Sequence, residues 1–258
     1  MPAPGYARKS LAMHLLERVV EKPHACSYLP GERASLEVEV LLDVSPAEMQ
    51  ALLEHGWRRF GPMYFRPACS ACAECVGLRI VVDRFEPSKT QRRVARGAKR
   101  FRREVSTPKV DDARLDLYAR WHVEREKARG WEANPQPRER YTLEFAFPHP
   151  CAREAAFYDD SAEGRGRLVG LGLFDETPEA LSATFFFHDP DYARSSLGVA
   201  NVLALVEDAR ASGRRYVYLG FRVAACASLR YKATYRPHEL LVGRPSATEP
   251  AVWQESRR

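Results

Sequence analysis

The sequence predicts an α+β protein, with a cysteine-bearing N-terminal α/β domain over residues 1–105 and a second α+β domain over residues 106–258. Three observations predict it. In the N-terminal part, strand-like runs flank a helix that carries its own start and stop signals. Between Phe65 and Gln91 stand Cys69, Cys72 and Cys75, three apart. In the C-terminal half, REAAFYD, RLVGLGLFD and ALSATFFFH are apolar runs separated by short turn segments, then comes a long amphipathic stretch and one more strand. That order describes consecutive antiparallel strands with a helix packed on the sheet.

In chain order, LEVEV at Leu36–Val40 alternates with the period of a half-buried strand. The helix from Ser45 to His55 follows: Ser45 suits the N-cap, Pro46 the first turn, Glu48 the capping box and Gly56 the stop. Gly61 and Pro62 mark a turn, and LRIVVDRF reads as a buried strand leading out of the cysteine loop. Asp111 to Arg129 reads as a helix with Leu115, Tyr118, Ala119 and His122 on one face and Gly130 as its end. ANPQPRER reads as a loop. SLGVANVLALVEDARASG is an amphipathic helix with Leu203, Val206 and Ala209 on one face, and RRYVYLGF the strand after it.

At 258 residues the chain has enough interior to fold without crosslinks. Hydrophobic residues make up 45% and charged residues 29%, ordinary for a soluble protein, and no apolar run is long enough to span a bilayer. The N-terminus lacks the unbroken apolar core of a signal peptide, so a cytoplasmic location is expected. There, six cysteines read as thiols or ligands rather than as disulfides. Cys69, Cys72 and Cys75 have the bite a metal or cluster iron accepts, and Cys26 is the nearest fourth thiolate.

Three further stretches bear on chemistry. Lys89 to Arg103 is dense in Lys and Arg and contains no acidic residue, which suits either a solvated face or contact with a phosphate backbone. Ser195, Gly198 and Ala200 approximate the turn by which acyl-CoA N-acyltransferases hold a pyrophosphate at a helix start. SLRYKATYRPHEL brings Tyr231, Lys232, Tyr235 and Arg236 close together in sequence. No serine or cysteine triad is apparent, which argues against a covalent acyl-enzyme.

HACSYLPG, GWRRFGPMYFRPACSACAECVGLRI, FEPSKTQRR, LSATFFFHDPD with RSSLG, YVYLG and YKATYRP occur in the order found in the arginyl-tRNA–protein transferase family, and the chain most resembles its bacterial aspartate/glutamate leucyltransferase branch. The resemblance runs from about Cys26 to about Leu240. It implies an enzyme that moves an aminoacyl group, leucine in that branch, from charged tRNA to the N-terminal amine of proteins beginning with Asp or Glu, marking them for N-degron proteolysis. It also implies a GNAT-like (acyl-CoA N-acyltransferase-like) C-terminal domain and no cofactor for the chemistry.

By motif position the resemblance assigns the acceptor's acidic side chain to Arg79, with Lys232 and Arg236 as companions, and gives Tyr28, Tyr218 and Tyr235 the orientation of amine or ester. Arg79, Tyr218, Lys232 and Tyr235 are thus the expected catalytic residues, with Ser195 and Gly198 at the donor turn. Lys89, Arg92, Arg93, Arg96, Lys99 and Arg100 become the expected tRNA contacts. Cys26, Cys69, Cys72 and Cys75 become a four-thiolate set for zinc or an iron–sulfur cluster. Arginyl transfer from Arg-tRNA, or a non-catalytic metal-dependent RNA-binding or redox-sensing protein, are the alternatives.

Overall fold

A computed structural model describes residues 13–130, 135 and 137–256. It is a mixed α+β fold built on two main sheets. The smaller has four antiparallel strands in the order His14–Val20, Leu36–Leu42, Met63–Pro67, Arg58–Phe60. Arg18 and Arg66 both reach Glu37 across it, so the alternation of LEVEV puts its carboxylates on a cationic face. The helix Pro46–Glu54 has the full capping box: Ser45 takes the Glu48 N–H, and the Glu48 side chain takes the Ser45 N–H at 2.8 Å.

The larger sheet has eight strands. Its order is Trp253–Glu255, His238–Leu241, Val76–Val81, Tyr216–Arg222, Ala180–His188, Arg167–Glu176, Ala152–Asp159, Phe101–Ser106. As the sequence predicts, Ala152–Asp159, Arg167–Glu176 and Ala180–His188 are consecutive antiparallel strands. The helix Leu197–Ala211 then carries the chain across to Tyr216–Arg222, which runs parallel to Ala180–His188. Strands in series, a helix and then a further strand is the order read from the sequence.

Both faces of the sheet are covered. Ala156 and Phe187 belong to a core shared with the helices Asp112–Arg129 and Arg138–Phe145, whereas their neighbours Phe157 and Phe186 pack in a core with Leu197–Ala211 and Lys89–Ala98. Adjacent side chains in a strand point to opposite faces, so the two helix pairs lie on opposite sides. A third cluster, including Leu53, Trp57, Tyr64 and Tyr218, joins the Pro46–Glu54 helix to the large sheet.

Three expectations change. A division after residue 105 does not separate the sheets, because Val76–Val81 lies between Tyr216–Arg222 and His238–Leu241, and Phe101–Ser106 pairs with Ala152–Asp159. Gly77 to Val81 is buried residue by residue, and a strand buried on both faces belongs in a sheet interior. The buried face of Asp112–Arg129 is Arg114, Leu117, Tyr118 and Glu126, with Leu115 partly buried against the same core; Ala119, expected there too, is exposed. Arg114 is admitted there because Glu154 on the sheet pairs with it. Most of ANPQPRER lies outside the described residues or without regular structure, but its last three residues open the helix Arg138–Phe145.

Candidate active site

The parallel strands Ala180–His188 and Tyr216–Arg222 pair only from Ala180 to Ser182 on one and Tyr216 to Tyr218 on the other. Beyond that point the first stays with Arg167–Glu176 and the second with Val76–Val81, so a wedge opens between neighbours in one sheet. Arg58, from the smaller sheet, enters the wedge. Its Nη1 donates to Ser182 Oγ at 2.6 Å and its Nη2 donates to the Ala183 carbonyl. Its Nε lies 3.3 Å from where a Cβ on Gly220 would stand. Gly220, at φ +74°, combines a left-handed backbone with that close approach, a pairing that calls for glycine.

Lys232 follows in the short turn Tyr231–Thr234 and donates its Nζ to the Phe221 carbonyl at 2.9 Å. Arg58 and Lys232 are each densely surrounded yet keep part of their surface open, which describes a cleft floor. Neither makes an ion pair among the described residues, whereas Arg59, next along the chain, is paired with Asp175. Burial, then the charge of Arg58, brings the Lys232 ammonium down to about 7, against the pull of Cys75 and Cys226. Burial brings Arg58 down to about 10, so its guanidinium stays cationic at neutral pH.

The same strand leads from this cleft to the helix start expected from the sequence. Phe186, three residues beyond Ala183, stands 3.4 Å from the Cβ position of Gly198. At strand rise that separates the two places by roughly 10 Å. Ser196 caps Leu197–Ala211 with a left-handed backbone and no side-chain bond. The first turn of the helix therefore carries no side-chain cap at the positive end of the dipole.

The basic stretch forms an unforeseen helix, Lys89–Ala98, capped by Ser88 and Gln91 in a reciprocal box. SKTQ is an S-x-x-Q signature that the charge density hid. Lys89, Arg92, Arg93, Arg96, Lys99 and Arg100 are all exposed, and none pairs with a carboxylate among the described residues. The arginines just beyond do pair, Arg102 with Asp160 and Arg103 with Asp208. Arg100 Nη2 donates to Ser195 Oγ at 3.0 Å, which joins the cationic helix to the helix start.

The other expected site residues are placed differently. Arg79 is 8% exposed, pairs with Glu239 at 2.7 Å, donates to the Tyr218 hydroxyl at 3.1 Å, and stacks 3.7 Å from the Tyr216 ring centre and 4.4 Å from that of Trp253. It already holds a carboxylate and binds sheet strands together. Breaking a buried pair leaves an uncompensated charge, so Arg79→Ala should cost about 3–5 kcal/mol of stability. Urea unfolding checks this, and an unchanged midpoint would contradict it. Tyr218 is buried in the third core cluster, and Tyr235 is 1% exposed, packed on Phe85, its hydroxyl without a partner. Burial drives both phenols well above their ordinary range. Arg236 is exposed, and Tyr28 stands with the cysteines, its N–H directed at Cys26 Sγ.

Cys26, Cys69 and Cys72 lie near enough to Cys75 to act on its thiol. These three, after burial, push the Cys75 thiol up to about 11. Arg244 braces the segment by donating to the Cys69 carbonyl at 2.7 Å and to the Cys72 carbonyl at 2.5 Å. The donor types suit a thiolate-bound metal. Among the described residues, however, no group of three or more ligands is arranged to hold one.

Two family models match the chain: the N terminus of arginine-tRNA-protein transferase over residues 24–93 and its C terminus over residues 113–242. The chain belongs to the arginine-tRNA-protein transferase family. Among relatives of this transferase, the aspartate/glutamate leucyltransferase of Helicobacter hepaticus is 30% identical, with 94% of this chain and 98% of that protein covered. That of Chromobacterium violaceum is 36% identical, covering 88% and 92%. Among solved structures, L-PGS from Bacillus licheniformis matches with a TM-score of 0.42 at 14% identity, covering 68% of this chain and 50% of that one. The transferase's Arg58 and its Lys89–Ala98 helix are the features the sequence reading missed. GWRRFGP had marked the first as shared, without a role.

Proposed function

We propose that this chain transfers leucine from leucyl-tRNA to the α-amine of proteins that begin with Asp or Glu, in the cytoplasm, delivering them to N-degron proteolysis. One observation carries the reading: a single parted strand connects an anion-favouring helix start, edged by unpaired cations, to a cleft that holds Arg58 and Lys232. The names of the relatives supply the leucyl group and the acidic acceptors. The tRNA backbone lies along Lys89–Ala98 and Arg100, and its aminoacyl end passes the start of Leu197–Ala211.

The reaction exchanges an ester for an amide. Neutral Lys232 takes one proton from the acceptor's α-ammonium, freeing the nitrogen lone pair. The nitrogen bonds to the ester carbon, the carbon–oxygen bond to the tRNA ribose breaks, and the ribose oxygen takes the second proton that the nitrogen sheds. The proton on Lys232 returns to solvent. Holding amine and ester together supplies most of the acceleration, since the ester is already activated. Cys26, Cys69, Cys72 and Cys75 would hold zinc or an iron–sulfur cluster outside this chemistry, fastening the N-terminal segment to the connection before Val76–Val81.

Transfer assays with labelled Leu-tRNA and Arg-tRNA against peptides beginning with Asp, Glu, Asn, Gln, Lys or Arg test the reading. Leucine should pass to the Asp and Glu peptides far faster than to the other four. Transfer from Arg-tRNA alone, or from neither, would overturn it.

A further inference from the structure

We propose that Arg58 is the residue that receives the side-chain carboxylate of the acceptor's first amino acid. This rests on the transfer function above and identifies the part of its site that reads Asp and Glu. An Arg deep in a protein normally has a carboxylate beside it, because an unpaired buried charge is expensive. This protein follows that rule at Arg59 with Asp175, at Arg79 with Glu239 and at Arg114 with Glu154. Arg58 breaks it. Its partners are a hydroxyl and a backbone carbonyl, both neutral, and Asp175, the carboxylate whose charge reaches it, is already bonded by Arg59. The cleft is thus short of negative charge, and a bound carboxylate supplies it.

Geometry agrees with the charge count. Ser182 and Ala183 fix the two terminal nitrogens of Arg58, so the guanidinium has a set orientation, and Gly220 leaves its Nε side uncrowded by a side chain. A fixed planar fork separates a carboxylate from an amide, because an amide presents N–H groups to N–H groups. The amine of a residue held this way lies a short side chain from its carboxylate, within range of Lys232 at the neighbouring Phe221 carbonyl. Arg79 satisfies none of these conditions, since its carboxylate is internal.

The test compares Arg58→Gln and Arg58→Lys with the unsubstituted enzyme, using peptides identical except for a first residue of Glu or Gln. Transfer by the unsubstituted enzyme to the Glu peptide is the first arm, and its absence would sink the proposed function itself. Given that transfer, Arg58→Gln should lower kcat/KM for the Glu peptide about 100-fold. Transfer to the Gln peptide, slow from the outset, should fall by a much smaller factor, the part that comes from Lys232 losing its cationic neighbour, so the preference for Glu collapses. Arg58→Lys should recover part of the preference, and methylguanidinium added to Arg58→Gly should restore some transfer to the Glu peptide. Circular dichroism and thermal melting confirm that each variant is folded, and the methylguanidinium arm reads the site even in a weakened variant. An equal loss for both peptides would place Arg58 on the ester instead, and an intact preference in Arg58→Gln would leave it no part in recognition; either overturns the inference.

Discussion

Lys232→Arg should abolish transfer as fully as Lys232→Met, each lowering the rate with bound substrates by about 100-fold or more. The two substitutions separate proton acceptance from charge. Arginine keeps the positive charge but stays protonated throughout the working range. Lys232 can release its proton because burial and Arg58 bring it to about 7, while Cys75 and Cys226 resist. The sign follows directly. A lowered lysine is neutral above about 7, so turnover in the unsubstituted enzyme should rise with pH through about 7 and then level. The free amine of an acceptor has its own transition near 8, so the profile is read at saturating peptide, where the enzyme's group governs. An active Lys232→Arg, or a profile flat through neutrality, would remove Lys232 as the proton acceptor.

Replacing Arg92 and Arg93 together by Glu should weaken tRNA binding about 100-fold at low salt and reduce the slope of log affinity against log salt by about 1.5, the loss of two phosphate contacts. The helix itself should survive. Both side chains are exposed, Ser88 and Gln91 still cap it, and acidic residues near a helix start are favourable. Filter binding or fluorescence anisotropy across a salt series checks this. An unchanged slope would mean the exposed cations are merely solvated, and the tRNA path would lie elsewhere.

How much of this was legible in the sequence depended on whether the deciding signal was local. The Ser45 cap, the three antiparallel strands and the long helix after them are set by neighbouring residues, and all were foreseen. Val76–Val81 was foreseen as a buried strand, but its place inside the C-terminal sheet depends on pairing with Tyr216–Arg222, far along the chain. The site follows the same pattern. Lys232 and the cationic stretch stand out as residue types in a motif, whereas Arg58 and Arg79 cannot be told apart by type. What distinguishes them is Glu239, 160 positions after Arg79, whereas among the described residues Arg58 bonds only Ser182 and Ala183. That Tyr218 and Tyr235 stand in the core was hidden for the related reason that a tyrosine in a shared motif fills a core as readily as it binds a substrate.

The central claim is that amine and ester meet in the wedge between Ala180–His188 and Tyr216–Arg222. A crystal structure with a peptide beginning with Asp and a non-hydrolysable 3′-leucylamino-adenosine tests it most directly. The account predicts the Asp carboxylate on Arg58, the peptide amine beside Lys232, and the leucyl carbonyl between them and the start of Leu197–Ala211. Finding the peptide's carboxylate on Arg79, with Glu239 displaced, or finding the wedge filled by neither molecule, would contradict it.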